Sequence, residues 1–145
     1  MKLLVQRVLE ASVEVNNRIV GQIDTGLLVF LGIEKGDTKD CADFLARKLV
    51  NLRIFHDNNG KMNLSVQDVQ GKLLVISQFT LAADTSRGNR PGFENAENAE
   101  KAEPLYRYFL SLIEKLYIVP QTGIFQAEMK VQLINDGPAT FFLQK

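Results

Sequence analysis

The chain has 145 residues, with 17 Lys plus Arg against 17 Asp plus Glu, one His, one Cys and no Trp, and 46% of it is hydrophobic. That length suits one compact domain spanning 1–145 with an ordinary buried core, which excludes a disordered chain and any need for disulfide or metal staples. A formal net charge of zero excludes a protein that wraps a long stretch of nucleic acid, because such binding rests on many cations neutralising phosphates, and leaves room for a small footprint only. From Leu3 to Val15 the pattern is β-branched and alternating, and it meets Asn16-Asn17 before Arg18-Ile19-Val20. Asn tolerates the positive φ of tight turns, so strands joined by a hairpin are expected. Gly26 to Ile33 is apolar on both parities and bounded by glycine, which suits a central strand covered on both faces.

Asp37 or Thr38 can cap a helix over about Thr38 to Asn51, with Cys41, Leu45, Leu49 and Leu52 on one face. Arg53-Ile54-Phe55 reads as a short strand before the polar turn His56 to Gly60. Lys72 to Phe79 is another buried strand, and the polar stretch Asp84 to Asn98 is a long loop. A second helix carries Ala102, Leu105, Phe109, Leu112, Ile113 and Leu116 on one side, with Pro104 in its first turns or at a kink. From Gly123 to Leu133 alternation is nearly strict and predicts one long antiparallel strand. Asn135-Asp136-Gly137-Pro138 then breaks it before a last strand, Ala139 to Leu143. The order is strands, helix, strand, helix, two strands: an α/β protein of mixed, largely antiparallel sheets, barrel-like or layered, with two main helices.

The inventory of reactive groups is short. His56 is the only histidine, so any Ser-His-Asp or Cys-His site must use it, and a solvated turn histidine is the plainer reading. Cys41 reads as a core residue and, with His56, makes a poor zinc site. There is neither a Walker loop nor a Rossmann glycine fingerprint. No cofactor and no metal is expected. A lone Cys, no long apolar run at the start, and a longest apolar run far short of the roughly 20 residues of a membrane helix lead us to expect a cytoplasmic protein without membrane contact.

Ser77-Gln78-Phe79-Thr80 stands out, because a hydrophobic strand ends there in polar residues directly before a loop. Such an end can aim backbone N–H groups and hydroxyls at a developing oxyanion, or simply run out into solvent. Gly137-Pro138, between two apolar strands, is either an ordinary hairpin turn or one of the few X-Pro bonds that are cis. Local physics stops at a small α/β protein with a possible acyl-transfer pocket.

Several ordered motifs extend that reading. Gln6-Arg7-Val8 with Ala11-Ser12-Val13, Gly26-Leu27-Leu28-Val29, Leu52-Arg53-Ile54-Phe55 with Gly60-Lys61-Met62-Asn63, Ser77-Gln78-Phe79-Thr80-Leu81 and Arg90-Pro91-Gly92-Phe93 are followed by Ala102-Glu103-Pro104, Thr122-Gly123-Ile124-Phe125, Ala127-Glu128-Met129 and Asn135-Asp136-Gly137-Pro138-Ala139-Thr140. In these the chain resembles, nearly end to end, the D-aminoacyl-tRNA deacylase family, also called D-tyrosyl-tRNA deacylases. The resemblance implies that family's fold and a homodimer that hydrolyses the ester joining a D-amino acid, or achiral glycine mischarged on alanine tRNA, to the tRNA 3′ end. It implies that Ser77, Gln78, Phe79 and Thr80 form the catalytic motif, and that Gly137 and Pro138, through a cis bond, enter the partner subunit's pocket and reject L-amino acids. Phe125, Met129 and Ala102 match pocket-lining positions, although core packing explains their spacing equally. Arg7 is either a tether for the Gly-Pro turn or a surface arginine, and Arg87 and Arg90 either meet phosphates or are solvated loop charges.

Two mechanisms follow: attack by Thr80, which lacks a visible base, or backbone oxyanion stabilisation with help from the terminal ribose 2′-hydroxyl. The competing readings are a module that binds tRNA ends without hydrolysis and an esterase for free D-amino-acid esters.

Overall fold

The computed structural model describes residues 1–145. In chain order it contains β1 (Lys2–Val15), β2 (Arg18–Ile23), β3 (Gly26–Gly32), α1 (Lys39–Val50), β4 (Phe55–His56), β5 (Met62–Leu64), β6 (Lys72–Ser77), a 3-10 turn (Phe79–Ala82), α2 (Ala99–Leu116), β7 (Gln121–Thr122) and β8 (Lys130–Gln144). β1 and β2 form the expected hairpin. Asn16 and Asn17 take φ of 50° and 61°, the left-handed pair whose twist matches the flanking strands.

β3 is central, antiparallel to β1 and parallel to β6. Its double-sided apolarity has a direct cause. Leu27, Val29 and Leu31 face a core shared with α1 and α2, where Leu45, Leu49, Phe109 and Ile113 pack. Leu28 faces a second core with Val8, Ala11, Val13, Ile23, Leu74 and Ile76. That second core is the inside of a nearly closed barrel. β1 runs along β3 through Lys2–Val8 and along β2 through Ala11–Val15, so the hairpin curls over the far face of the sheet. Closure comes where β2 approaches β7: a Cβ on Gly21 would lie 2.5 Å from the Thr122 carbonyl oxygen, so only glycine permits the approach.

Three expectations require correction. Arg53 and Ile54 are outside the short strand, which is Phe55–His56. Residues 124–129 are not strand, because the chain turns there, with Gln126 at φ 63° and the Ala127 N–H donating to the Ile124 carbonyl at 3.2 Å. Alternation reported which side chains point inward, not whether their backbone is paired. Finally, Asn135–Pro138 does not separate two strands. β8 is continuous, and both of its halves pair with β1, Thr140 opposite Gln6 and Asn135 opposite Val8. The intervening residues bulge outward from a single ladder. A 14-residue β1 is long enough to hold both halves, which periodicity alone does not reveal.

The helices follow their sequence signals closely. Thr38 and Asn51 flank α1, but no side chain caps its first turn, since the Asp37 carboxylate accepts the Glu34 N–H instead; the Asn98 side chain caps α2 by accepting the Lys101 N–H at 3.1 Å. Leu105 packs half-buried against the helical core, and its neighbour Tyr106 is buried as well.

Candidate active site

A cavity of about 480 Å³ opens where the parallel strands β3 and β6 run out, at the carboxyl ends where open α/β sheets hold ligands. Leu31 and Ser77, register partners at those ends, form its floor with Ile33, Gln78 and Phe79. Ala102 walls it from the first turns of α2, beside Glu97 and Ala99, while Phe125, Gln126, Ala127 and Met129 wall it from the turn before β8. The fold thus brings Ser77, Gln78, Phe79, Ala102, Phe125 and Met129 together from three separate segments. Leu31, Ile33, Glu97, Ala99, Gln126 and Ala127 were not singled out by the sequence. They are ordinary residues locally, and only the meeting of four segments makes them a lining.

Phe125 is braced from behind. Its ring lies 5.6 Å from that of Tyr106, whose hydroxyl donates to the Val75 carbonyl at 2.9 Å. Burial pushes the Tyr106 phenol up to about 12, so at neutral pH it is an uncharged donor holding the wall in place.

At the strand end the backbone donors are unequally available. The Gln78 N–H donates to the Leu31 carbonyl at 2.8 Å, extending the β3–β6 ladder by one bond, so it is not free for a ligand. The Phe79 and Thr80 N–H groups head the 3-10 turn and donate to no backbone carbonyl. Thr80 is exposed and does not line the cavity; its hydroxyl oxygen accepts a hydrogen bond from the Gln78 side-chain amide. An amide cannot serve as a base, and His56 lies exposed on β4, outside the lining. Glu97 is the one ionisable lining residue, and its Oε1 accepts the Asn98 N–H at 2.9 Å.

Arg7, Gly137 and Pro138 lie away from this cavity. Arg7 pairs with Leu27, four positions along β3 from Leu31 and therefore about 13 Å away at 3.3 Å per residue. It is buried, 1% exposed, because it continues the alternation of Leu3 and Val5, which face the helical core from the first half of β1. Its Nε donates to the Asp136 carbonyl at 3.1 Å and Nη2 to the Gly137 carbonyl at 3.4 Å. Nη1 donates to the Ile54 carbonyl at 2.5 Å, and the Asp136 carboxylate pairs with Nε at 2.8 Å. The surface-arginine alternative is excluded by this burial. The Gly137–Pro138 peptide is cis, and both residues are exposed.

The description D-Tyr-tRNA(Tyr) deacylase belongs to the family model that matches residues 4–144. A D-aminoacyl-tRNA deacylase of Geotalea uraniireducens is 56% identical over 144 residues, covering 99% of this chain and 93% of that one. One from Thermosipho melanesiensis is 52% identical, covering 99% and 96%. Among solved structures, the c-Myc DNA Unwinding Element Binding Protein superposes with a TM-score of 0.96 at 41% identity, covering 100% of this chain and 99% of that one. A probable eukaryotic D-amino acid tRNA deacylase shares the fold with a TM-score of 0.79 at 14% identity, covering 98% of each chain. The class is therefore that of hydrolases that cut an amino acid from tRNA. The chain belongs to the D-aminoacyl-tRNA deacylase family, and its activity is the hydrolysis of D-aminoacyl-tRNA.

Proposed function

We propose that the cavity receives the 3′-terminal adenosine of tRNA with its esterified amino acid, and that Ser77, Gln78, Phe79 and Thr80 form the catalytic edge of that site. The observation that carries this reading is the convergence of Ser77–Phe79, Ala102, Phe125 and Met129 on one largely apolar cavity. Phe125, Met129 and Ala102 bind substrate there, the small Ala102 side chain leaving room for it. The unpaired N–H groups of Phe79 and Thr80 stabilise the tetrahedral oxyanion, and the ribose 2′-hydroxyl positions or activates the attacking water. Thr80 is not the nucleophile in this scheme, since its hydroxyl is engaged by an amide and meets no base. Thr80→Ala retains substantial deacylation, and near-complete loss in a folded variant would restore the nucleophile.

The enzyme acts as a homodimer in which Gly137 and Pro138 of one chain complete the partner's site. Supporting this, Arg7, which grips the turn's backbone from below, sits about 13 Å along the sheet from Leu31 at the end of β3. β8 pairs only with β1, which leaves its second edge open, with Ile134 and Phe142 about half exposed. Backbone acceptors from that turn hold the α-ammonium and leave no space for an L side chain, so selectivity arises by rejection. Glycine has no side chain to reject, so glycyl-tRNA, including glycine mischarged on alanine tRNA, is also cleared. The partner is the tRNA 3′ end and the site of action is the cytoplasm, where charged tRNA is used.

Deacylation of matched D-tyrosyl-, L-tyrosyl- and glycyl-tRNA tests the selectivity. Cleavage of the D and glycyl esters with the L ester spared is expected, and equal cleavage of the L ester would overturn the rejection device. Replacing the terminal 2′-hydroxyl by hydrogen is expected to slow hydrolysis strongly. Unchanged hydrolysis would remove the RNA from the mechanism.

A further inference from the structure

Beside the cavity lies a feature its chemistry does not use. Phe79 and Phe93 are exposed to 59% and 41%, yet their rings pack against each other at 5.1 Å and 55°. Phe79 lines the cavity while Phe93 does not, so the pair continues the apolar lining onto the open surface. Neither ring joins either hydrophobic core, so their exposure is not a by-product of core packing.

The pair is also held firmly for surface side chains. Phe79 begins the 3-10 turn, closed by Leu81 N–H to the Gln78 carbonyl at 3.2 Å and Ala83 N–H to the Thr80 carbonyl at 3.1 Å. Phe93 stands at the base of the 84–98 loop, where Asp84 and Gly92 exchange backbone hydrogen bonds of 2.8 and 2.9 Å. Two further bonds, Lys35 N–H to the Asn95 carbonyl at 2.9 Å and Glu97 N–H to the Ile33 carbonyl at 3.0 Å, tie the same loop to the exit of β3. The loop tip carries Arg87 and Arg90, both exposed and without a carboxylate partner. Asp84, Glu94 and Glu97 lie on the same loop, so its charge is mixed and any selectivity must come mainly from the rings.

We infer that Phe79 and Phe93 form a stacking platform for the nucleobase immediately 5′ of the terminal adenosine, with Arg87 and Arg90 beside the backbone phosphates that precede it. The inference rests on the placement of the terminal adenosine in the cavity. A single-stranded end leaving the cavity past Phe79 meets this platform first, and aromatic faces accept any base without reading its edges. A platform of this kind fits a deacylase that must act on many tRNAs, because it recognises a nucleotide by its π-face rather than its identity.

The test compares steady-state hydrolysis of 3′-O-D-tyrosyl-adenosine with that of the same ester on cytidylyl-(3′,5′)-adenosine. The native enzyme is expected to show a lower KM for the dinucleotide ester. Phe93→Ala should raise KM for the dinucleotide ester about tenfold, a modest value for the loss of one base–aromatic stack, with KM for the adenosine ester and both kcat values unchanged. Phe93→Trp should restore the preference. Equal losses on both esters, or weaker self-association accompanying them, would overturn the platform and make Phe93 a support of the pocket or of a subunit contact. No change on either ester would also overturn it. Phe125→Ala tests the underlying placement separately: an unchanged KM for the adenosine ester would refute the adenosine pocket whatever Phe93 does.

Discussion

Arg7 shows how far a single side chain can be read before the fold is known. Its parity with Leu3 and Val5 points it into the helical core, and a guanidinium is tolerated there because three carbonyls and the Asp136 carboxylate surround it. Arg7→Met keeps most of the volume but strands those carbonyls. It is expected to lower unfolding free energy by about 2 to 3 kcal/mol in urea titrations, less than a fully buried pair costs, since Asp136 is 39% exposed. Tyr106 gives the complementary case. Tyr106→Phe removes the bond to Val75 and should cost about 1 kcal/mol. Its phenol is held near 12 in the folded chain against an ordinary 10, so the unfolded chain ionises first. Stability should therefore fall as pH rises from about 10 towards 12, and that alkaline slope should be shallower in Tyr106→Phe, read by thermal unfolding across the range. The helical periodicity placed Leu105 on the buried side, and Tyr106 was missed because burial of a phenol depends on a partner that sequence does not display.

At the scale of elements, close approach decides more than propensity does. Gly21 lets β2 reach β7, and Gly21→Ala, which would place a methyl 2.5 Å from the Thr122 carbonyl oxygen, is expected to destabilise by about 1 to 3 kcal/mol, measured by chemical unfolding. The turns around β5 are held by carboxylates. Asp57 accepts the Asn59 and Lys61 N–H groups, and Asp68 accepts the Ser65 N–H and hydroxyl. These bonds hold both carboxyl groups below their ordinary 3.8, so their contribution is present above that value and is lost as pH falls through the lower folded values. Amide exchange at Asn59, Lys61 and Ser65 should accelerate at such pH before the core strands open. Most of the main elements were legible in chain order, because hydrophobic period and turn residues are local. The continuity of β8 and the turn at residues 124–129 were not, since they depend on which strand lies alongside and on a cavity that draws Phe125 and Met129 inward.

For the whole molecule, the separation between the cavity and the Gly137-Pro138 turn governs the outlook. If two chains make one site, static light scattering should give a dimer at assay concentrations, and specific activity should fall on dilution through the dissociation range. Full activity in a monomer would overturn the shared site. The open edge of β8 offers the backbone groups for such a pairing.

The sequence by itself determined the α/β class, the Asn-Asn hairpin, the central strand, both helices, and the family motifs, because each rests on local conformational preference or on an ordered string of residues. Only the tertiary structure decided that Ser77–Phe79, Ala102, Phe125 and Met129 share one cavity, that the Gln78 N–H is already spent, and that Arg7 is buried beneath an exposed turn. Those outcomes depend on contacts between segments far apart in the chain, and no local preference encodes which distant backbone will satisfy a given donor.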